Sequence, residues 1–408
     1  MKPDYDVAVV GAGPIGLATA ILLARVAGFA ATGIVVYDRR IPDPLDSEHI
    51  PPVDLRVFAL SRASEKILRA AGAWDDIAKT RAAPYERMHV WHADVPPHGG
   101  DALVFDAAEM GERDLGIIAE NNVLQAALAG AARRLGIALA EGEITALEHE
   151  RDAVRLRAGE RDVRARVVIG ADGAQSRVRE LAGLSVSRTD YGQTALVATV
   201  STAKSHQHTA WQRFLGDGTL AFLPLADGHS SIVWSIPAAR AEQLLVATTE
   251  DFEHELEKDF DGALGKVTLA SERVKFPLWR LSAAHYVSAR VALVGDAAHV
   301  VHPLAGQGAN LGLLDAAALA DVLGEALRTR EDPGAERILR RYERWRRSEN
   351  DLMSGAIDAF DRLLARGTGR VAELAQRGMP WVGRSTLAKR VFIERAMGLA
   401  GELPLAAR

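Results

Sequence analysis

The chain has 408 residues, 48% hydrophobic and 25% charged, with a net charge of -5. That length can bury the cores of two or three domains, and that balance excludes a disordered chain. Slight acidity argues against a nucleic-acid partner. The absence of cysteine excludes disulfides, thiolate metal sites and redox dithiols, so any electron transfer needs a bound organic cofactor.

No apolar run approaches the roughly 20 residues of a membrane span. The start, MKPDYDVAVVGAG, passes almost directly into a strand without the charged and apolar regions of a signal peptide, so a cytoplasmic location is expected. The strand Val7 to Val10 leads into Gly11, Gly13, Pro14 and Gly16, spaced G-x-G-x-x-G, and then an apolar helix from Leu17 to about Val26. A second strand, GIVVYDRR, ends at Asp38 and Arg39, with Asp38 22 residues after Gly16. Strand, glycines, helix and acid together read as a dinucleotide site. Gly11 allows the tight turn, Gly13 admits a pyrophosphate, Gly16 lets helix and strand approach, and Asp38 accepts from ribose hydroxyls.

Further along, ARVVIGADGAQSRVRE (165 to 180) repeats the form of strand, turn and helix around Asp172 and Gly173. From about Gly183 to Tyr286 the chain has β character, with ADG marking a hairpin turn between two apolar runs. ARVALVGDAAHVVHPLAGQGANLGLLDAAALADVL (289 to 323) is again strand, Gly295-Asp296, loop, glycine turn and helix. Taken singly, the Asp in either junction could simply cap a helix. The twelve histidines show no ligand spacing such as H-E-x-x-H, so no metal is expected. Near the C-terminus ERILRRYERWRRSENDLMSGAIDAFDRLLA predicts a long helix, and residues 337 to 347 hold six Arg against one Glu. Such a run is usually a solvated face, though it could meet an anionic membrane or an acidic partner.

In this order the motifs resemble the flavoprotein aromatic hydroxylases. HPLAGQGANLGLLD (302 to 315) looks like the signature of the ubiquinone-biosynthesis flavin monooxygenases, and the likeness extends to DLRVFALSRASEKILRAAGAWDDI, GIIAENNVLQAAL and GTLAFLPL. One departure is Asp38, where many members carry Glu. The resemblance implies an α/β, para-hydroxybenzoate-hydroxylase-like fold. A Rossmann-like FAD-binding domain would comprise 1–80, 103–183 and 286–335. A mainly antiparallel β-sheet substrate domain would be inserted as 81–102 and 184–285, and 336–408 would be a C-terminal helical region.

It also implies roles. Gly11, Gly13, Pro14, Gly16, Asp38 and Arg39 would hold the adenosine half of FAD, and Arg56 and Gln125 would approach the pyrophosphate and flavin side. Ile144 would pack near the adenine. Asp172 would sit by the phosphates shared by FAD and NAD(P)H, and Asp296 would bond the ribityl or pyrophosphate linker. The turn Pro303, Gly306, Gln307, Gly308, Ala309 and Asn310 would bring backbone amides to the isoalloxazine ring. A helix beginning near Ala309 would aim its positive end at that ring, which is anionic when reduced.

A single G-x-G-x-x-G unit implies that NAD(P)H visits transiently. In the family, reduced FAD and dioxygen form a flavin hydroperoxide that hydroxylates a phenol, and the pocket must exclude water. The sheet would cover the open face of the flavin, with Phe222, Leu223, Pro224 and Trp234 as candidate wall residues. His299 and His302 are the candidate bases, but histidines at such turns more often bond the backbone, so neither is assigned. The expected substrate is a polyprenylated phenol, whose tail partitions into the bilayer. That fits a membrane-associated quinone-biosynthesis complex at the inner face. A small aromatic acid as substrate, or a flavin-binding subunit without turnover, remains a rival reading.

Overall fold

The computed structural model describes residues 3–45, 50–302, 306–360, 362, 397–399 and 401–408. The first strand, Tyr5–Val10, lies at the centre of an eight-stranded sheet, parallel to Arg161–Gly170 on one side and Ile34–Asp38 on the other. Val291–Leu293 and Ala138–Glu141 continue the parallel order outward. Val7, Val9, Val36, Val167 and Ile169 are fully buried. β-Branched residues on both faces are what a parallel sheet covered by helices demands. The first helix, Pro14–Leu22, starts three residues earlier than its apolar run suggests, because Pro14 serves as its first residue. A wider turn, Leu23–Ala27, ends at Gly28 with φ +90°.

The segment from 183 to 286 builds most of a nine-stranded sheet around the 17-residue strand Val186–Thr202. Thr219–Pro224 and Ser230–Pro237 pair antiparallel, with Phe222 opposite Ile232, and the expected ADG turn joins them through Gly228. The sheet also includes Arg87–His92, which falls within the expected 81–102 insertion, and Leu103–Asp106 and His299–Val300, which fall outside it. Two helices within the β-rich segment, Ala238–Val246 and Thr249–Asp259, cover one face of this sheet. Trp91, Phe222, Trp234, Phe252 and Phe260 form a second core there.

A three-stranded sheet, Val57–Ser61, Gly116–Glu120 and Ala83–Tyr85, forms a separate unit. Two long helices finish the described fold, Gln307–Arg328 and Glu336–Phe360. The expected C-terminal helical region lies mostly outside the described residues beyond Phe360. Among the described residues no helix is long and apolar enough to cross a membrane.

Candidate FAD site

The glycine turn is built against backbone. Gly11 has φ +110° and its N–H donates to the Tyr37 carbonyl at 2.7 Å. A Cβ there would lie 2.3 Å from the Ala171 carbonyl oxygen, and one on Gly16 would lie 1.9 Å from that of Gly11. Only glycine fits at either position. Gly13 differs, for a Cβ built on it meets nothing within 4 Å. It caps the first helix without any side-chain hydrogen bond, which leaves the amides of the first turn available to an anion. Asp38 accepts from the Ala12 N–H at 2.6 Å, and the Gln125 amide donates to the Ala12 carbonyl at 2.9 Å. Both residues therefore brace the turn from neighbouring elements. Arg39 turns to Glu143 at 2.7 Å on the surface, and Ile144 is buried in the main core.

The three distant segments converge here. The clash partners of Gly11 are Ala171 and the Asp172 amide, so the D-G turn lies directly beneath the glycine turn. Asp172 itself caps the helix Arg177–Leu181, accepting from the Ser176 hydroxyl at 2.5 Å and from the Arg177 and Val178 amides at 2.7 and 3.0 Å. Its carboxylate thus serves the capping role that its residue type allows. Gly295 packs on Ile15 of the first helix and on Gly312 of Gln307–Arg328.

Asp296 follows Gly295, half-buried, and its carboxylate takes no hydrogen bond from any described residue. Burial pushes its pKa up, against the opposing pull of Arg56 and His299. Arg56 is exposed and lies 5.2 Å over the Phe58 ring. An acceptor held near a cation with neither committed to an ion pair among the described residues suits a polar linker and its phosphates.

The second glycine turn begins the helix Gln307–Arg328 two residues earlier than expected. Gly306 sits at φ +64°, where its Cβ would lie 3.1 Å from that of Ala59. Asn310 ties the turn to the strand Val57–Ser61. Its Oδ1 accepts from the Ser61 N–H at 2.9 Å and the Ser64 hydroxyl at 2.6 Å, and its Nδ2 donates to the Ala59 carbonyl at 2.9 Å. That amide is occupied by protein, so any contribution of Asn310 to a ligand comes from its backbone. Pro303 lies outside the described residues. Gln307, Gly308 and Ala309 are partly exposed, and the helix N-terminus has no side-chain cap.

A Cβ on Gly308 meets nothing within 4 Å. Gly308→Val is therefore expected to leave the melting temperature of the cofactor-free protein nearly unchanged. It should weaken FAD at least about tenfold, since a branched side chain would fill the space the ring needs. Flavin titration by fluorescence quenching checks this, and unchanged affinity would mean that the turn does not face the ring.

Several expectations need correction. Phe222 and Trp234 are fully buried on the helix-covered face of the sheet, Phe222 stacked on Phe260 at 3.8 Å and Trp234 edge-on to Phe252. Pro224 is also buried. Phe222 and Trp234 belong to a core, not to a pocket wall. Strand alternation puts Leu223 on the opposite face, where it packs with Ala59, Ala83 and Ile118 beside the Gly306 turn. Among the described residues the two histidines bond side chains: His299 Nε2 meets Asp315 Oδ2 at 2.5 Å and His302 Nε2 meets Gln193 Oε1 at 3.2 Å.

The arginine run is largely neutralised. Arg337, Arg340, Arg341 and Arg347 pair with Glu331, Glu336, Glu325 and Asp351, and Arg346 is buried. The residues that sequence reasoning left without a role are Asp315 and Arg346. The signal was present, since Asp315 is the one charge in an otherwise apolar stretch from Leu311 to Ala320.

Two uncapped helix ends, an acid that accepts no hydrogen bond from a described residue, a nearby exposed guanidinium, and open space at Gly13 and Gly308 fit an elongated anionic cofactor with a flat ring. They define a dinucleotide-binding flavoenzyme. The FAD binding domain family matches residues 4–352. The chain is 37% identical to 3-demethoxyubiquinol 3-hydroxylase of Escherichia coli over 97% of its own length and 98% of that protein. It is also 37% identical to the ubiquinone hydroxylase UbiL of Rhodospirillum rubrum, over 96% and 89% of the two chains. The crystal structure of p-nitrophenol 4-monooxygenase from Pseudomonas putida shares the fold at a TM-score of 0.77 and 20% identity, over 98% of this chain and 100% of that one. The chain belongs to the FAD-dependent monooxygenases, within the group of ubiquinone-biosynthesis hydroxylases. It is a flavin-dependent hydroxylating enzyme.

Proposed function

We propose that this enzyme hydroxylates the aromatic ring of a polyprenylated phenol in ubiquinone biosynthesis, with dioxygen as the oxygen source and NAD(P)H as a transient reductant. The observation that carries the reading is the end-to-end similarity to a demethoxyubiquinol hydroxylase. The geometry supports it. FAD, when bound, supplies the redox chemistry and the activation of oxygen. Gly13 and the first-helix amides would receive the pyrophosphate, Asp38 the adenosine ribose, and Arg56 and Asp296 the linker. With FAD bound, the uncapped N-terminus of Gln307–Arg328 would favour negative charge on the flavin. Leu223, Ala59 and Ile118 contribute apolar surface next to that turn and help to exclude water.

A prenyl tail partitions into the bilayer, so the enzyme meets its substrate at the inner membrane surface, in a quinone-biosynthesis assembly or from a carrier. The arginine run is a poor candidate for that contact, because all of its charges except that of the exposed Arg344 are paired or buried.

The test uses purified, FAD-loaded protein. NAD(P)H oxidation should rise with a short-chain prenylphenol, and the product should gain one oxygen atom from labelled dioxygen. Stimulation only by benzoate-type acids would replace the substrate assignment. Bound flavin that no nicotinamide or reductase reduces would make the chain a non-catalytic subunit.

A further inference from the structure

Asp315 closes the signature turn-and-helix segment, and Arg346 sits in the arginine run. Neither has a place in the site described so far, yet they meet in the core. Asp315 lies two turns into the helix Gln307–Arg328 and is fully buried. Its Oδ1 accepts from Arg346 Nε at 2.8 Å and from Asn350 Nδ2 at 3.1 Å, both on the helix Glu336–Phe360. Arg346 also donates to Asn350 Oδ1 at 2.9 Å, which closes the cluster. The other oxygen, Oδ2, accepts from the Gly295 N–H at 3.1 Å and from His299 Nε2 at 2.5 Å.

Gly295 and His299 bracket Asp296. A single carboxylate oxygen therefore grips the chain on both sides of a partly buried acid to which no described residue donates a hydrogen bond. We propose that Asp315, anchored by Arg346 and Asn350, is a positioning residue for the cofactor: it fixes the Gly295–His299 turn so that Asp296 meets FAD, and makes no contact with FAD itself. The inference rests on the FAD reading above.

Energetics favour this role over plain stabilisation. Desolvating a carboxylate and a guanidinium costs several kcal/mol, and packed apolar residues often serve a core as well as a buried ion pair does. What apolar residues cannot do is hold an N–H and an imidazole at a fixed point. The carboxyl also stays ionised. Burial pushes its pKa up, but His299 and Arg346 more than reverse this and leave it at about 2. The acceptor is thus available at neutral pH.

The test is a double-mutant cycle on the full chain, read as FAD affinity by quenching of flavin fluorescence. Asp315→Asn is isosteric but presents a donor where an acceptor is needed. It should weaken FAD roughly 30-fold, and by less than about 3-fold when Asp296→Asn is already present, because residues that act through one another do not add. If Asp315→Asn does not fold, His299→Leu enters the same cycle, since it removes the donor on one side of the turn and leaves the Asp315–Arg346 pair in place. The same non-additive pattern is expected, somewhat smaller. Equal losses in both backgrounds, or none in either, overturn the proposal and leave Asp315 a structural clamp. A wild-type chain that binds no FAD overturns the cofactor reading and this inference together.

Discussion

Gly16→Ala should destabilise the cofactor-free protein by about 3 kcal/mol or more and abolish flavin binding, whereas Gly13→Ala, three residues earlier, should leave the fold nearly untouched. At Gly16 the new methyl carbon would stand 1.9 Å from the Gly11 carbonyl oxygen and 3.2 Å from the Ala171 Cβ. An ordinary carbon–oxygen contact needs more than an ångström beyond the first of these distances. The neighbour is backbone held between the strands Tyr5–Val10 and Ile34–Asp38, so it cannot swing away. The helix Pro14–Leu22 must lift instead, opening gaps around Leu17 and Ile21, both fully buried. Overpacking of this kind typically costs about 1–3 kcal/mol, and a backbone clash lies at or above the upper end. Alanine's better helix propensity returns only about 1 kcal/mol.

At Gly13, by contrast, φ is -70° and the added methyl group points into open space. Any residue adopts that backbone conformation. Thermal unfolding of the two cofactor-free variants measures the contrast. Equal melting temperatures would show that the turn is looser than this geometry requires.

The legible parts of the sequence were those where a local pattern has one physical meaning. Gly11, Gly13 and Gly16 between an apolar strand and an apolar helix read as a tight glycine turn, and Asp38 at the end of the next strand braces it. The order of the D-G and G-D turns also reads directly, because each ends a parallel strand of one sheet. What did not read was the direction in which side chains point. Phe222 and Leu223 are adjacent in a hairpin strand, and period two sends one to the helix-covered core and the other towards the Gly306 turn. Choosing between the faces required the helices Ala238–Val246 and Thr249–Asp259, which lie inside a segment whose sequence reads as β throughout.

Charge was hidden in the same way. Six arginines in eleven residues look like a surface patch, but helical periodicity turns Arg346 inward, where Asp315 from another helix neutralises it. Pairing over 31 positions leaves no local trace.

Asp296→Ala should purify with little or no flavin and bind added FAD some 10- to 100-fold more weakly, while its cofactor-free form unfolds no more easily than the wild type. The two halves of this expectation have one cause. In the protein alone the Asp296 carboxylate accepts no hydrogen bond from a described residue, and burial raises its pKa despite Arg56 and His299. An acid whose folded-state pKa lies above its unfolded value destabilises the fold once the pH passes the unfolded value. That penalty is absent in acid, where both states are protonated. Removing the group should therefore stabilise the cofactor-free chain at neutral pH, and this gain should vanish as the pH falls below the carboxylate range.

With FAD bound the balance inverts. A linker hydroxyl loses a charged acceptor in a partly buried site, which typically costs about 1.5–3 kcal/mol and gives the expected loss in affinity. Asp296→Asn keeps an acceptor oxygen without the charge and should fall between alanine and wild type. Flavin content on purification, a titration with FAD and paired melts at neutral and acid pH separate the two halves. A variant that keeps full flavin would remove Asp296 from the cofactor site. A variant that loses flavin only because the cofactor-free chain no longer folds would instead make the Gly295–His299 turn a structural element.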